Sequence, residues 1–135
     1  MHVPPKNSLN RSSILRLKSE IQSLFSDGRR EYMGILKVIW TIDKVENDQG
    51  VKIFVAVPKK NIRKAVKRNL LKRRIKEALR LNLNDLKELS KENNLYIKIG
   101  VVYSKNYIEE YNKIEQKIVL SLQKIYSLIY ESIKQ

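Results

Sequence analysis

Apolar residues recur along this chain with two different periods. Ile14, Leu17, Ile21, Leu24 and Phe25 fall three or four apart, the spacing of one helical face. Ser12 or Ser13 is placed to cap that helix, and Asp27-Gly28 to end it. From Ile35 to Ile42 and from Val51 to Val57 the chain is β-branched and aromatic, which predicts two strands. The polar residues 43–50 between them are turn formers. Pro58 stops the second strand, and a helix starts between Ile62 and Asn69, its register set by Leu71, Ile75, Ala78 and Leu79. Leu83, Leu86 and Leu89 extend the helical stretch until Asn93-Asn94 breaks it. Leu95 to Tyr103 reads as a third strand. Asn106, with Glu109 three residues on, reads as a capping-box variant. It opens a long last helix carrying Tyr111, Ile114, Ile118, Leu122, Ile125, Ile129 and Ile133. Without repeats or a linker, the 135 residues form one domain, with 1–11 expected to be disordered.

Alternation gives the strands two unlike faces. Leu36, Val38 and Trp40, then Val51, Ile53, Val55 and Val57, then Ile97, Ile99 and Val101 make a core face. The other face reads Ile35, Lys37, Ile39; Lys52, Phe54, Ala56; Tyr96, Lys98, Gly100. Each strand puts one lysine there, and two add an aromatic ring. On an open sheet that mixture suits single-stranded nucleic acid, because rings stack on bases while ammonium groups track phosphates. The same residues also fit an ordinary polar outer face.

Charge sharpens the picture. Lys and Arg number 28 against 14 Asp and Glu, a net +14. Between Lys59 and Arg80 stand eleven cations and a single acid, Glu77, so this segment holds +10 of the total. A solvated surface mixes signs, whereas a one-signed field calls for a polyanion. On a helical wheel Asn69, Lys72, Arg73, Lys76 and Arg80 fall within roughly 100° of one another, beside the apolar stripe and along about 18 Å of helix. Like charges at i, i+4 (Arg68/Lys72, Lys72/Lys76, Lys76/Arg80) oppose this helix, and bound phosphates reverse the sign of that cost. Lys59, Lys60, Lys64 and Arg68 extend the phosphate-contacting set.

Several functions are excluded or disfavoured. The chain has no cysteine, so disulfides, thiolate zinc sites and iron–sulfur clusters are absent. Its one histidine, His2, lies near the start, and the serines have no base beside them. Asp43, Glu46 and Asp48 sit among turn residues, and no glycine-rich phosphate loop exists among four glycines. Apolar runs are strand-sized, and 1–11 lacks the apolar core of a signal peptide, so a cytoplasmic protein without membrane or small-molecule partners is expected.

The run Val51-Lys52-Ile53-Phe54-Val55-Ala56-Val57-Pro58-Lys59-Lys60, followed by Ala65-Val66-Lys67-Arg68-Asn69-Leu70-Leu71-Lys72-Arg73-Arg74-Ile75-Lys76, resembles the bacterial ribonuclease P protein component. Leu17 to Arg29 is similar to that family's first helix, and Leu95 onward to its last strand and helix. The sequence departs from the pattern at Leu70, where a second arginine is expected, and at Pro58, where serine is usual. It departs again at 61–64, a longer turn without glycine, and at Ile21, where an aromatic residue is frequent. The resemblance implies an α+β domain with one central, mostly antiparallel sheet, three helices and a left-handed βαβ crossover. A fourth strand would then lie within 30–42. It implies a subunit of a ribonucleoprotein endonuclease that removes the 5′ leader of precursor tRNA, with a catalytic RNA and Mg²⁺ performing the chemistry. The basic helix would bind the RNA subunit. Ile21, Phe25, Lys37, Lys52, Phe54, Tyr96 and Lys98 would hold the leader between sheet and first helix. A structural, ribosomal-type RNA-binding protein is the alternative. A DNA-binding module would need the basic helix free to enter a groove, and its apolar stripe argues against that.

Overall fold

A computed structural model describes residues 13–134. Ser12, His2 and the 1–11 segment lie outside the described residues. Eight elements follow in order: α1 (Lys18–Asp27), β1 (Arg29–Met33), β2 (Leu36–Lys44), β3 (Gly50–Ala56), α2 (Ala65–Asn82), α3 (Asn84–Glu92), β4 (Leu95–Tyr103) and α4 (Tyr111–Lys134). They build one four-stranded sheet in the order β1-β2-β4-β3. β1/β2 and β2/β4 are antiparallel, while β3 and β4 are parallel neighbours joined through α2 and α3.

The α+β class and the mostly antiparallel sheet agree with expectation. The strand sought within 30–42 is β1, which turns into β2 through Gly34-Ile35, with Gly34 at φ +60°. Four helices stand where three were expected. Asn82 turns its side-chain amide back onto the Ala78 carbonyl at 2.7 Å, and Leu83 then serves both as the end of α2 and the start of α3. Asn93-Asn94 does end the stretch. Asn93 bonds the Leu89 carbonyl through backbone and side chain, and Asn94 takes a left-handed conformation at φ +55°.

Both expected cap positions are corrected. α1 starts at Lys18, not after Ser13, because Ile14 bridges Ile53 and the Leu15 amide donates to the Ile53 carbonyl at 2.7 Å. Those residues extend the sheet at the β3 edge. α4 starts at Tyr111 rather than after Asn106. Tyr103 holds the connection with its hydroxyl, which donates to the Tyr107 carbonyl and accepts from the Glu109 amide at 3.1 Å.

The core lies on one face of the sheet. Leu36, Val38, Trp40, Ile53, Ile97, Ile99 and Val101 pack against α2, α3 and α4 there. The opposite face carries α1 over a smaller cluster of Leu15, Leu24 and Ile39, joined by Ile21, Phe25 and Phe54. Contact under α1 is close. A side chain at Gly28 would collide with Ile39 and the Leu24 carbonyl, and one at Gly100 would come within 3.0 Å of Leu24.

Candidate nucleic-acid interface

Leu71, Ile75, Ala78 and Leu79 of α2 are fully buried, as the wheel requires. Burying each large one contributes roughly 1.5–3 kcal/mol, whereas each like-charge i, i+4 pair costs about 0.2–0.5 kcal/mol. Docking therefore decides, and the helix can carry its cations outward. Arg74, on the flank, ties α2 to the connection leading into α4 by donating to the Glu109 carbonyl at 2.6 Å.

Asn69, Arg73 and Lys76 are exposed and Lys72 is half-buried. Among the described residues no ion pair engages Lys59, Lys60, Lys64, Lys72, Arg73 or Lys76. Arg80 differs: it grips Glu77 with two bonds of 2.9 and 2.6 Å. That hydrogen-bonded pair holds the Glu77 carboxyl below its ordinary value and the Arg80 guanidinium above its own.

The N-terminal end of α2 adds to the field. Lys64 precedes it in extended conformation without a side-chain cap, and no acid stands in the first turn. The leading amides and the dipole thus point positive charge at whatever lies there. The longer turn before it is ordered by specific bonds. The Pro58 carbonyl accepts from the amides of Asn61 and Ile62 at 3.0 and 3.2 Å. Asn61 donates to the Tyr103 carbonyl at 3.2 Å. Arg68 donates to the carbonyls of Ile62 and Arg63 at 3.0 and 2.6 Å. The periodicity placed Arg68 at the border of the apolar stripe, and its guanidinium proves to clamp this turn. A shallow basin of about 570 Å³ lies between the turn and the 106–108 loop, rimmed by Lys60, Arg63, Lys64 and Lys67 with Tyr107 across it. Arg63 and Lys67 were visible in the sequence only as charge. Their convergence with Tyr107 depends on a loop distant in sequence.

The second sheet face is covered in part by α1 and left open on its flanks. Strand register divides it into rows: Tyr32/Lys37/Val102/Ala56, then Arg30/Ile39/Gly100/Phe54, then Thr41/Lys98/Lys52, then Asp43/Tyr96/Gly50. α1 lies over the second row, with Leu24 near Gly100 and Phe25 edge-on to Phe54 at 5.9 Å between centroids. Ile21, Phe25 and Phe54 thus meet in one cluster, partly covered. Lys37 falls on one flank of α1. Lys52, Tyr96 and Lys98 fall on the other. Lys98 is only 8% exposed; its ammonium and that of Lys52 lie 5.7 and 5.6 Å from the Tyr96 ring centre. The Tyr96 hydroxyl donates to Glu20 at 3.2 Å, and burial together with that carboxylate pushes it up to about 12. Glu20 was not anticipated.

A docked helix whose Lys72, Arg73 and Lys76 carry no ion pair among the described residues, together with a second sheet face bearing rings and lysines, defines a small RNA-binding α+β protein. The family model described as Ribonuclease P matches residues 9–126, and the chain belongs to that family, whose role is maturation of the tRNA 5′ end. The ribonuclease P protein component of Porphyromonas gingivalis is 30% identical over 125 residues, covering 93% of this chain and 91% of the relative. That of Chlorobium phaeobacteroides is 33% identical over 105 residues, 72% of each. The fold is shared with the RNase P protein from Thermotoga maritima (TM-score 0.63, 20% identity, 82% of this chain and 96% of that one). It is shared as well with the Staphylococcus aureus RNase P protein (TM-score 0.58, 20% identity, 84% and 97%).

Proposed function

We propose that the chain binds the catalytic RNA of ribonuclease P through α2 and steers the single-stranded 5′ leader of precursor tRNA along the α1-bearing sheet face. The observation that carries this reading is the line of Lys72, Arg73 and Lys76, without ion pairs among the described residues, on a helix whose adjoining apolar stripe is fully buried. Lys59, Lys60, Lys64, Lys72, Arg73 and Lys76 meet phosphates, and Asn69 has the amide to reach a sugar hydroxyl or base edge. Phe25 and Phe54 offer ring edges to bases, with Lys37 on one flank of α1 and Lys52, Tyr96 and Lys98 on the other.

In this reading the protein contributes binding and orientation, and hydrolysis belongs to the RNA. Mg²⁺, held by the RNA subunit and substrate, would activate the attacking water and stabilise the departing oxygen. Among the described residues no three His, Cys, Asp or Glu side chains gather into a metal-binding group, and no step is assigned to a protein-bound ion. No helix among the described residues is long and apolar enough to cross a membrane. We place the protein in the cytoplasm with its RNA.

The test is the salt dependence of affinity for the catalytic RNA. Lys72→Ala and Lys76→Ala should each weaken binding and lower the slope of log K against log salt by about 0.7–0.9. Unchanged slopes in both would remove α2 from the interface.

A further inference from the structure

Tyr32 is the most exposed aromatic residue among those described, with 73% of its surface free. It stands on β1 directly opposite Lys37, and Val102 and Ala56 continue the same row across β4 and β3. Side chains opposed in this way have Cβ atoms roughly 4.5–5.5 Å apart. Lys37, Val102 and Ala56 are half-buried, so the row forms a floor open to solvent, whereas α1 covers Ile39, Gly100 and part of Phe54 in the adjacent row, whose exposed Arg30 donates to the Phe25 carbonyl at 2.6 Å. The row therefore runs along the flank of α1, next to the Phe25–Phe54 pair. No carboxylate belongs to it; on the other flank, Glu20 already occupies the Tyr96 hydroxyl. Beyond Ala56 the chain leads through Val57-Pro58 to Lys59 and Lys60, where the basic segment begins. A ring left in water beside a lysine, on a floor without acids, has the chemistry that holds one unstacked base and its phosphate.

We infer that Tyr32 and Lys37 form a base-stacking subsite for one nucleotide of the precursor-tRNA 5′ leader, on the hairpin side of α1. The inference rests on the leader reading proposed above, and its test separates the two. Holoenzyme reconstituted with a bacterial ribonuclease P RNA is titrated with precursor tRNAs whose leaders are shortened one nucleotide at a time. The wild-type protein gains affinity as the leader lengthens. Tyr32→Ala should abolish one step of that gain, roughly 5- to 100-fold at a single leader length, and leave affinity for leaderless tRNA and for the catalytic RNA alone unchanged. Tyr32→Phe and Tyr32→Trp keep a stacking face and should retain the step.

A wild-type protein with no dependence on leader length would overturn the leader reading itself. A wild-type dependence that Tyr32→Ala leaves intact would overturn only the subsite. Loss of the step in Tyr32→Trp as well would show that stacking is not its basis. Weaker binding to the catalytic RNA, with the leader step preserved, would assign the ring to the RNA subunit instead. A changed oligomeric state with the leader step preserved would assign it to a contact between copies.

Discussion

Arg68 answers to two demands at once, since its guanidinium clamps the Ile62 and Arg63 carbonyls while it stands at the head of the cationic face. Lys72, one turn on, has no such bond among the described residues. Arg68→Ala should therefore lower the thermal midpoint and weaken RNA binding together, with the clamp contributing about 1–3 kcal/mol of stability. Lys72→Ala should change affinity alone. Thermal unfolding beside RNA titration checks this, and equal midpoints for the two variants would contradict the clamp. Tyr96 makes a second prediction. Its hydroxyl, raised from 10.0 to about 12, favours the fold while protonated, so that contribution is complete below pH 10 and fades as pH rises toward 12. Tyr96→Phe should flatten that part of the stability–pH curve in chemical denaturation, and an unaltered curve would contradict the Glu20 bond. Neither role was legible in the sequence. Spacing shows which side of a helix a residue takes, but carbonyl partners in a folded turn and a carboxylate 76 positions away depend on tertiary structure.

The elements were legible in proportion to their periodicity. β3, β4, α2 and α4 carry unbroken apolar patterns, and most of their buried residues are those the spacing selects; Lys98 and Gly100 on the α1 side of β4, and Ser121 of α4, are buried in addition. β1 reads Arg-Arg-Glu-Tyr-Met, without a β-branched residue, because an edge strand with little buried surface needs no apolar alternation. The starts of α1 and α4 were displaced for another reason. Residues with capping side chains lie nearby, but the Ile14–Leu15 contact with β3 and the Tyr103 hydroxyl bonds keep those segments out of the helices. α1 is also the element whose position divides the second face. Gly28→Ala puts a methyl group into Ile39 and the Leu24 carbonyl, so it should destabilise the protein by about 1–3 kcal/mol. Denaturant unfolding would read that loss, and a neutral result would mean that α1 sits less tightly on Ile39 than the geometry shows.

At the scale of the whole molecule, +10 of the net +14 is gathered between Lys59 and Arg80, while the apolar side of that same segment is spent on the core. This concentration was fully legible in the sequence. The division of the lysine–aromatic face by α1 was not, because alternation assigns residues to a face without saying what covers it. The outcome is a molecule with a concentrated cationic segment and a separate sheet face of rings and lysines, which on the proposed reading hold two RNA segments. That central claim is tested most directly by precursor-tRNA cleavage at low Mg²⁺ with a bacterial ribonuclease P RNA, in the presence and absence of this protein. Cleavage at the 5′ maturation site that requires both components is the predicted result. An RNA whose cleavage the protein does not stimulate, although the two bind tightly and salt-dependently, would contradict it.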